Sequence, residues 1–198
     1  MSSKNKYNVP KSESSLLPNK LGLTDLKEIE LAEAQGFVDA SVVLSHDLKV
    51  DTLFDLAYIY KAHQLALGHL YDFAGKLRTV NMSKGGFTFP AANHLNNSML
   101  EFEASILSNL KDDYQKDSDL ILDIAKVHGE LLFIHPFRDG NGRTARLLAN
   151  LMAYKANRGR LKFELLDSDE MFKKYIIAVQ RVGVLDYQPM VKLITLIW

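Results

Sequence analysis

The sequence predicts a mainly α-helical domain that carries one β-hairpin. Apolar residues recur at steps of three and four through most of the chain, which is the spacing of one face of a helix. In a single stretch, apolar residues instead occupy every second position on both sides of Gly85-Gly86, which is typical of a hairpin. A lone hairpin is marginally stable in water, so we expect this one to pack on helices or to offer an edge to another chain.

Composition indicates one domain and excludes several classes of protein. The chain has 198 residues and no cysteine, which rules out disulfides, thiolate metal sites and a cysteine nucleophile. Its 24 basic residues balance 24 acidic ones, so nucleic acid and anionic membranes are not expected as partners. The N-terminus lacks the apolar region of a signal peptide, and no run is long enough to span a bilayer. We therefore expect a cytoplasmic protein.

The N-terminal half predicts an arm, two helices and the hairpin. Residues 1–20 are polar and contain two prolines, so we expect a flexible arm followed by a single domain over residues 21–198. Thr24 or Asp25 is expected to cap the first helix, and a second helix is expected within residues 51–68.

The hairpin is expected over about residues 78–90. Val80 and Met82 alternate before the glycine pair, Phe87 and Phe89 alternate after it, and a proline ends the run. The free edge of such a hairpin is able to accept a further strand.

The C-terminal half predicts further helices around one interruption. Helical spacing is present over about residues 91–111 and 118–134, and Pro136 disfavours its continuation. A capping box of Asp167 and Glu170 is expected to start another helix, and the apolar segment MVKLITLIW closes the chain.

The interruption itself, HPFRDGNGRTAR at residues 135–146, concentrates polar chemistry between two apolar segments. Gly140, Asn141 and Gly142 are expected directly before a helix that starts near Arg143. Glycines let backbone N–H groups converge on one point, and a helix N-terminus adds partial positive charge. Together these features predict an anion cradle suited to phosphate.

The other residues of this stretch complete a set for phosphorus chemistry. Arg143 and Arg146, three apart, are able to face the same anion. Asp139 is a typical single-carboxylate anchor for Mg2+, which shares its shell with phosphate oxygens. His135 titrates near neutral pH and is able to take a proton from a hydroxyl, and Phe137 is expected to anchor the loop in the core. The set predicts transfer of a phosphorus centre to a hydroxyl.

Each of these residues alone has an ordinary structural explanation. A GNG triplet is usually a turn, an arginine on a helix is usually solvated, and a lone histidine is usually structural. His135 and Asp139 supply too few ligands for a transition-metal site. The remaining histidines share no spacing and are expected on helix surfaces or in the core. Only the combination at this spacing favours a site.

The stretch HPFRDGNGR resembles the signature of the Fic family (filamentation induced by cAMP): HPF, any residue, Asp or Glu, Gly-Asn, Gly or Lys, Arg. Every position matches, and Arg146 matches a second arginine of the family. Residues 70–89, LYDFAGKLRTVNMSKGGFTF, resemble the family's flap. The resemblance covers about residues 15–198 and implies a Fic-type helical bundle with a flap beside an active-site loop at residues 135–143.

Most Fic enzymes transfer AMP from ATP to a Ser, Thr or Tyr hydroxyl of a target protein and release pyrophosphate. The resemblance implies that His135 is the general base and that Asp139 holds Mg2+ across the α- and β-phosphates. It also implies that Asn141, Gly142 and the neighbouring backbone form the anion hole.

The resemblance further assigns the arginines and the flap. Arg143 and Arg146 would neutralise the polyphosphate, with Arg146 near the γ-phosphate. The flap would hold the target as an added strand and so bring its hydroxyl to His135. A hairpin that merely covers core stays the alternative. The flap residues are Ser83, Lys84, Gly85, Gly86, Phe87, Thr88 and Phe89.

Two family features bear on activity and its control. The relative called Doc is a kinase with Ala-Asn-Lys where this chain has Gly140-Asn141-Gly142, so the glycines favour AMP transfer. Many Fic proteins are self-inhibited by a helix with Ser or Thr, three residues, Glu, then Gly or Asn, whose Glu pairs with the arginine equivalent to Arg146. No glutamate here is followed by Gly or Asn, and the nearest candidate, Glu28, is followed by Ile.

The expected function is therefore transfer of AMP from ATP with Mg2+. A toxin is one biological role that this activity would fit. Inhibition would come from a small antitoxin-like partner in trans or would be absent. The alternatives are transfer from another nucleotide or phosphoryl donor, as in Doc, and a non-catalytic nucleotide-binding interaction module. Removal of AMP is a further alternative, but in the family it relies on the inhibitory glutamate.

Overall fold

The computed structural model describes residues 16–84 and 86–198. Within these residues, seven α-helices and two short strands confirm the mainly α fold with one hairpin. The predicted arm lies for the most part outside the described residues, as does Gly85. The elements are α1 (Leu26–His46), α2 (Leu56–Leu67), β1 (Ser83–Lys84), β2 (Phe87–Thr88), α3 (Leu95–Ser105), α4 (Asp117–Ile134), α5 (Asn141–Lys155), α6 (Asp169–Val182) and α7 (Gln188–Leu196).

Helix α1 lies against α2 and α5. Asp25 is its N-cap, and the carboxylate accepts the N–H groups of Lys27 and Glu28, which resolves the choice between the two predicted caps. Gly36 permits the close approach to α2, because a Cβ there would lie 2.0 Å from the carbonyl oxygen of Ala66. The approach brings the inner face of α1 to the edge of the active-site loop.

Helices α4 and α5 form the centre of the domain. α4 packs on α5, α6 and α7, whereas α1 and α2 cover another side of α5. Leu120, Ile124 and Leu131 of α4 share one buried cluster with Leu148 and Leu151 of α5. Full burial of such side chains stabilises a fold by about 1.5–3 kcal/mol each. The loop that joins α4 to α5 is therefore held between two rigid elements.

This loop begins and ends with left-handed backbone. Helix α4 ends at Ile134, and His135 has φ 53°, because Pro136 disfavours a further helical residue before it. Gly140 has φ 76° and is the N-cap of α5, which begins at Asn141. Helix α5 therefore starts two residues earlier than its expected start near Arg143, so Asn141 and Gly142 belong to its first turn.

The hairpin is shorter than predicted. Its antiparallel strands pair Ser83 with Thr88 and Lys84 with Phe87. The expected strand positions Val80 and Met82 lie outside β1. The side chain of Arg78 donates a hydrogen bond to the carbonyl of Val80 at 2.7 Å, so this carbonyl is bonded to a side chain and not to a neighbouring strand.

Two other helix boundaries also differ from expectation. The N-cap of α6 is Ser168, whose hydroxyl accepts the N–H of Met171, and not the expected box of Asp167 with Glu170. Glu170 instead pairs with Lys174 on the exposed side of the helix. The segment expected as one helix over residues 91–111 is divided, because 3-10 turns precede and follow α3.

In the described part of the chain, no helix combines the length and the apolar character that crossing a membrane requires.

Candidate functional site

The buried side chains of Phe137 and Asn141 anchor the loop between α4 and α5 in the core. The Phe137 ring is fully buried and stacks on His63 of α2, with ring centroids 3.8 Å apart. The Asn141 amide closes the loop, because its oxygen accepts the Phe137 N–H and its nitrogen donates to the Phe137 carbonyl, both at 2.8 Å. The Asn141 side chain therefore shapes the loop and lies beneath the cradle.

His63 fixes the part of the loop that carries Asp139. Its Nδ1 accepts the N–H of Gly75 at 2.8 Å, so the hydrogen is on Nε2, which donates to the Asp139 carbonyl at 3.0 Å. Burial lowers the pKa of His63 to about 4, which keeps the ring neutral near pH 7. A Cβ at Gly140 would lie 2.8 Å from Leu67, so this turn requires glycine for space as well as for its positive φ.

His135 is held by a hydrogen bond at Nδ1 and by a stacked aromatic ring. Its Nδ1 lies 3.1 Å from the carbonyl of Leu132, which can only accept, so Nδ1 carries the hydrogen and Nε2 has the lone pair. Burial is the main cause that lowers the pKa of His135 to about 4. The ring stacks on Phe89 after the hairpin at 3.8 Å. An unprotonated histidine with its lone pair on Nε2 is suited to accept a proton.

Arg78 joins this histidine to the hairpin. Its buried guanidinium donates to the carbonyls of His135 at 2.8 Å, Val80 at 2.7 Å and Pro90 at 2.6 Å. Its backbone N–H also donates to the Pro136 carbonyl at 2.8 Å. Burial lowers the pKa of Arg78, although an arginine stays charged in proteins. The two ends of the hairpin and the loop therefore share one cation.

Arg143 is paired with a buried carboxylate from a distant part of the chain. Its Nη2 lies 2.6 Å from Oε2 of Glu33 on α1, whose side chain is only 5% exposed. The other Glu33 oxygen accepts the hydroxyl of Tyr71 at 2.7 Å. The same Nη2 lies 3.9 Å from Oδ1 of Asp139, and the guanidinium is 4.9 Å from the centre of the Phe37 ring.

Arg146, one turn further along α5, has different surroundings. Its guanidinium lies 5.5 Å from the ring centre of Phe163 and 3.9 Å from Asp167, a carboxylate that is 66% exposed. Arg146 lines the same cavity as Tyr175 of α6. The Tyr175 hydroxyl donates to Nε2 of the buried His128 at 2.6 Å, since Nδ1 of His128 donates to a carbonyl of α5.

These residues surround one cavity of about 410 Å³. Its lining includes charged and titratable residues, among them His135, Asp139 and both arginines of α5. It also includes apolar side chains of the hairpin and of α6, which are Phe87, Phe89, Phe172, Ile176 and Val179. A cavity lined by both kinds of side chain suits a ligand that joins an anion to a flat hydrophobic group.

Asp139 is the residue that fits a magnesium ion. Its side chain is 6% exposed, and Oδ1 accepts the N–H of Gly140 at 2.6 Å. No group of three or more His, Asp or Glu residues suited to a metal occurs within residues 16–84 and 86–198. Mg2+ is commonly held by one carboxylate together with phosphate oxygens and water, so a single aspartate beside a phosphate cradle fits this ion.

Comparison with known proteins identifies the family. The profile of the Fic/DOC family matches residues 53–153. The chain is a member of the Fic/DOC family. It is 31% identical over 144 residues to a protein adenylyltransferase fic-1 of Caenorhabditis briggsae, and 31% identical over 145 residues to a protein adenylyltransferase Fic of Nematostella vectensis. Each match covers 71% of this chain but only 26% and 31% of those relatives, so the chain corresponds to under a third of their length.

Solved Fic structures share the fold over nearly the whole chain. The BepC effector of Bartonella tribocorum, solved with AMPPNP bound, has a TM-score of 0.77 at 22% identity and covers 96% of this chain and 94% of its own. A Fic domain from Bartonella quintana, solved with ADP bound, has a TM-score of 0.76 at 21% identity and covers 94% of this chain and 92% of its own.

This Fic domain brings most of the predicted site residues to one place. His135, Asp139, Gly140 and Gly142 line the cavity together with the two arginines of α5, while Asn141 and Phe137 lie beneath it. Of the predicted flap residues, those that line the cavity are Lys84, Phe87 and Phe89. The roles of these residues stay predictions.

Several residues of this Fic site were not found from the sequence. Glu33 and Arg78 contact the motif residues from another helix and from the base of the hairpin, and Tyr175 lines the same cavity. His63 and His128 were expected on surfaces or in the core, and both are buried directly under the site. A lone Glu or His on an otherwise apolar helix face was the available signal, because a buried charged or titratable group needs a partner.

Proposed function

We propose that this Fic chain transfers AMP from ATP to a Ser, Thr or Tyr hydroxyl of a target protein and releases pyrophosphate. The observation that carries the proposal is the position of His135. Its ring lines the same cavity as Asp139 and the two arginines of α5. A base, a metal carboxylate and cationic groups in one cavity are the requirements of phosphorus transfer to a hydroxyl.

The shape of the cavity supports ATP as the donor. The phosphates would lie at the N-terminus of α5, where the first N–H groups have no partner within the helix. The adenine ring would lie beside the apolar side chains of Phe172 and Ile176 of α6. The names of the relatives agree with this donor, since they are protein adenylyltransferases, and BepC was solved with an ATP analogue bound.

Each polar residue then has one task. His135 accepts the proton of the target hydroxyl at Nε2 as the oxygen attacks the α-phosphorus. Asp139 would hold Mg2+, which when bound neutralises charge on the phosphates. Arg146 would bind the terminal phosphates. Arg143, which is paired with Glu33 of α1, would stabilise the phosphate-binding turn at the start of α5. The pKa of His135, lowered to about 4, keeps the base unprotonated at neutral pH.

The hairpin would act as the docking edge for the target. An extended segment of the target would add to it as a strand through main-chain hydrogen bonds. Because Phe89 stacks on His135 at 3.8 Å, a strand held there would present its hydroxyl close to the base. Lys84 lies on the exposed side of β1 and would contact the target or the nucleotide.

Inhibition would be supplied by a small antitoxin-like partner, with the chain acting as a toxin in the cytoplasm. The support is that the carboxylate beside Arg146 belongs to Asp167, which is 66% exposed, so the charge of Arg146 is accessible to a partner protein. Expression of the chain alone is expected to slow growth, and His135→Ala is expected to remove this effect. Full tolerance that Glu28→Gln converts into toxicity would contradict this form of control.

The experiment uses ATP labelled at the α- or the γ-phosphate, Mg2+, a cell lysate and the purified chain. We expect protein-bound label from α-labelled ATP alone. His135→Ala is expected to reduce it about 10²- to 10⁴-fold, the usual contribution of general base catalysis. His46→Ala is the matched control, since this histidine is exposed on α1.

Label from γ-labelled ATP alone would instead establish a Doc-like kinase. Label that persists in both His135→Ala and Asp139→Ala would show that other residues perform the chemistry. Binding of ATP without transfer, in the presence of every labelled donor and lysate, would establish a nucleotide-binding module.

A further inference from the structure

A second groove, called here the α3–α4 groove, is formed by α3, α4 and the turn that joins α6 to α7. Its volume is about 510 Å³, and its apolar lining includes Phe102, Ile106 and Phe133. It shares no lining residue with the cavity that contains His135. The proposed function therefore assigns no task to this part of the surface.

The α3–α4 groove is continuous with the hairpin. Pro90, which follows β2, is one of its lining residues. Phe133 of α4 also lines it and contacts Phe87 of β2, with ring centroids 5.8 Å apart. The same ring packs against Gly183 at the end of α6, where a Cβ would lie 2.7 Å from it. A peptide bound along the hairpin is therefore within a few residues of the groove, since an extended chain spans about 3.3 Å per residue.

The turn between α6 and α7 presents two apolar side chains to solvent beside this groove. Val184 is 67% exposed and Leu185, which lines the groove, is 75% exposed. Leu185 also has φ 59°, a left-handed conformation that is strained for a leucine. The turn is nevertheless held firmly, because Arg181 and Asp186 form an ion pair at 2.7 Å. Strain that displays an apolar side chain indicates a function outside the isolated fold.

Two carboxylates give the groove a negative charge. Glu101 of α3 and Glu130 of α4 line it together with one cation, Lys126. Burial, and then the charge of Glu101, raise the pKa of Glu130, whose carboxylate accepts the hydroxyl of Tyr187. In the part of the chain that the structure describes, neither carboxylate lies within ion-pairing distance of a Lys, Arg or His. A cationic side chain from another molecule would relieve the repulsion between them.

We propose that the α3–α4 groove binds the target protein beside the residue that is modified, and that it selects a segment with a basic side chain next to an apolar one. The basic side chain would pair with Glu101 and Glu130, and the apolar one would pack on Phe133 and Leu185. In strand addition, main-chain hydrogen bonds give affinity and side-chain pockets give specificity, so the hairpin and the groove would divide these two tasks. This proposal rests on the proposed function, because that function brings the target strand to the hairpin.

The test measures the binding of two sets of synthetic peptides to the purified chain by fluorescence anisotropy. Every peptide has a central threonine, and a basic Arg-Leu pair or an acidic Glu-Leu pair stands at a series of spacings from it. We expect the arginine set to bind about tenfold more tightly than the glutamate set, because the groove is acidic.

Two variants test the charge and the turn separately. Glu101→Lys is expected to reverse the preference, so that the glutamate set binds more tightly. Glu170→Lys makes the same change on the exposed side of α6 and is expected to keep the preference of the unchanged chain. Leu185→Gly removes the strain together with the side chain, so it is expected to be as stable as the unchanged chain but to bind the arginine set about tenfold more weakly.

Equal binding of the two sets, or a preference that Glu101→Lys leaves unchanged, would overturn the proposal, as would full binding by Leu185→Gly. Self-association of the chain that Glu101→Lys abolishes would also overturn it, because a second copy would then occupy the groove. Transfer of label from α-labelled ATP to both sets at the same rate would support the proposed function and overturn the role of the groove. Binding with the expected preference, but without transfer to any peptide or lysate protein, would contradict the proposed function alone.

Discussion

Arg143 and Arg146 are three residues apart on one helix, line one cavity and have opposite surroundings. Arg143 is paired with a carboxylate that is 5% exposed. Arg146 lies near an aromatic ring and a phenol, and its carboxylate neighbour, Asp167, is 66% exposed and 3.9 Å away. Solvent screens the second pair far more than the first.

The difference indicates a division of work between two chemically identical side chains. The charge of Arg143 is largely compensated inside the protein before any ligand arrives. Arg146 keeps most of its charge for an incoming anion, and it lines the cavity beside Tyr175, which is hydrogen-bonded to the neutral His128. One arginine therefore serves mainly the architecture of the site, and the other is the one that we propose attracts phosphate.

Three buried neutral histidines lie in or next to the site that contains the two arginines, so acid is expected to have the largest effect on this part of the fold. The pKa values of His63, His128 and His135 are each lowered to about 4 in the fold, whereas the unfolded chain takes up these protons near pH 6.5. Between these values the unfolded state binds more protons, so stability is full above pH 6.5 and falls as pH decreases towards 4.

Each histidine lowers the free energy of unfolding by up to about 1.4 kcal/mol per pH unit in this window. The three together predict a loss of about 3–4 kcal/mol between pH 6 and pH 5. Urea unfolding at a series of pH values measures it. A stability that is constant from pH 7 to pH 5 would contradict the neutral state of these rings.

Replacement of each arginine by glutamine is expected to lower the free energy of unfolding by different amounts, because the two surroundings differ. Arg143→Gln leaves the Glu33 carboxylate buried without its cation and is expected to cost about 3 kcal/mol, the low end for a buried pair because Arg143 is 29% exposed. Arg146→Gln is expected to cost less than about 1 kcal/mol, as for a surface pair. Chemical denaturation compares them, and equal losses would refute the distinction.

Removal of one hydroxyl tests the hydrogen bond between Tyr175 and His128 alone. Tyr175→Phe leaves Nε2 of the buried His128 without its donor, which is expected to cost about 1–3 kcal/mol of stability. Tyr154→Phe, a partly buried tyrosine of α5, is the control for loss of a phenol elsewhere in the domain. A Tyr175→Phe variant as stable as this control would show that the hydrogen bond contributes little.

Nucleotide binding provides the finest distinction. If Arg146 faces the terminal phosphates, Arg146→Gln is expected to weaken ATP binding about tenfold, or 1.4 kcal/mol, and to leave AMP binding unchanged. Isothermal titration calorimetry with both nucleotides measures the ratio. An equal loss of affinity for ATP and AMP would show that Arg146 contacts the α-phosphate or the adenine.

The sequence was most informative where function is local. The stretch at residues 135–146 contains His135, Asp139 and both arginines within twelve positions, so its spacing alone predicted these charged and titratable residues of the cavity lining. Helical periodicity likewise predicted α4, because its buried residues follow the expected steps.

Local pattern was uninformative where partners are far apart in the chain. Glu33 is 110 residues from Arg143, and no spacing rule connects them. The α6 wall of the cavity reads as an ordinary amphipathic helix, since a face that binds ligand is as apolar as one that packs on core. The hairpin was predicted too long because the Arg78 side chain donates a hydrogen bond to the carbonyl of Val80, a residue that the alternating pattern had assigned to a strand.

Three of the carbonyls that accept hydrogen bonds from the guanidinium of Arg78 have a consequence for alignment. Val80 and Pro90 flank the hairpin, and the third carbonyl belongs to His135 itself. Any displacement of the hairpin relative to the loop must stretch one of these bonds. If a target strand adds to the hairpin as we propose, the Arg78 guanidinium would fix its position relative to His135 through a few hydrogen bonds, more closely than a flexible loop would.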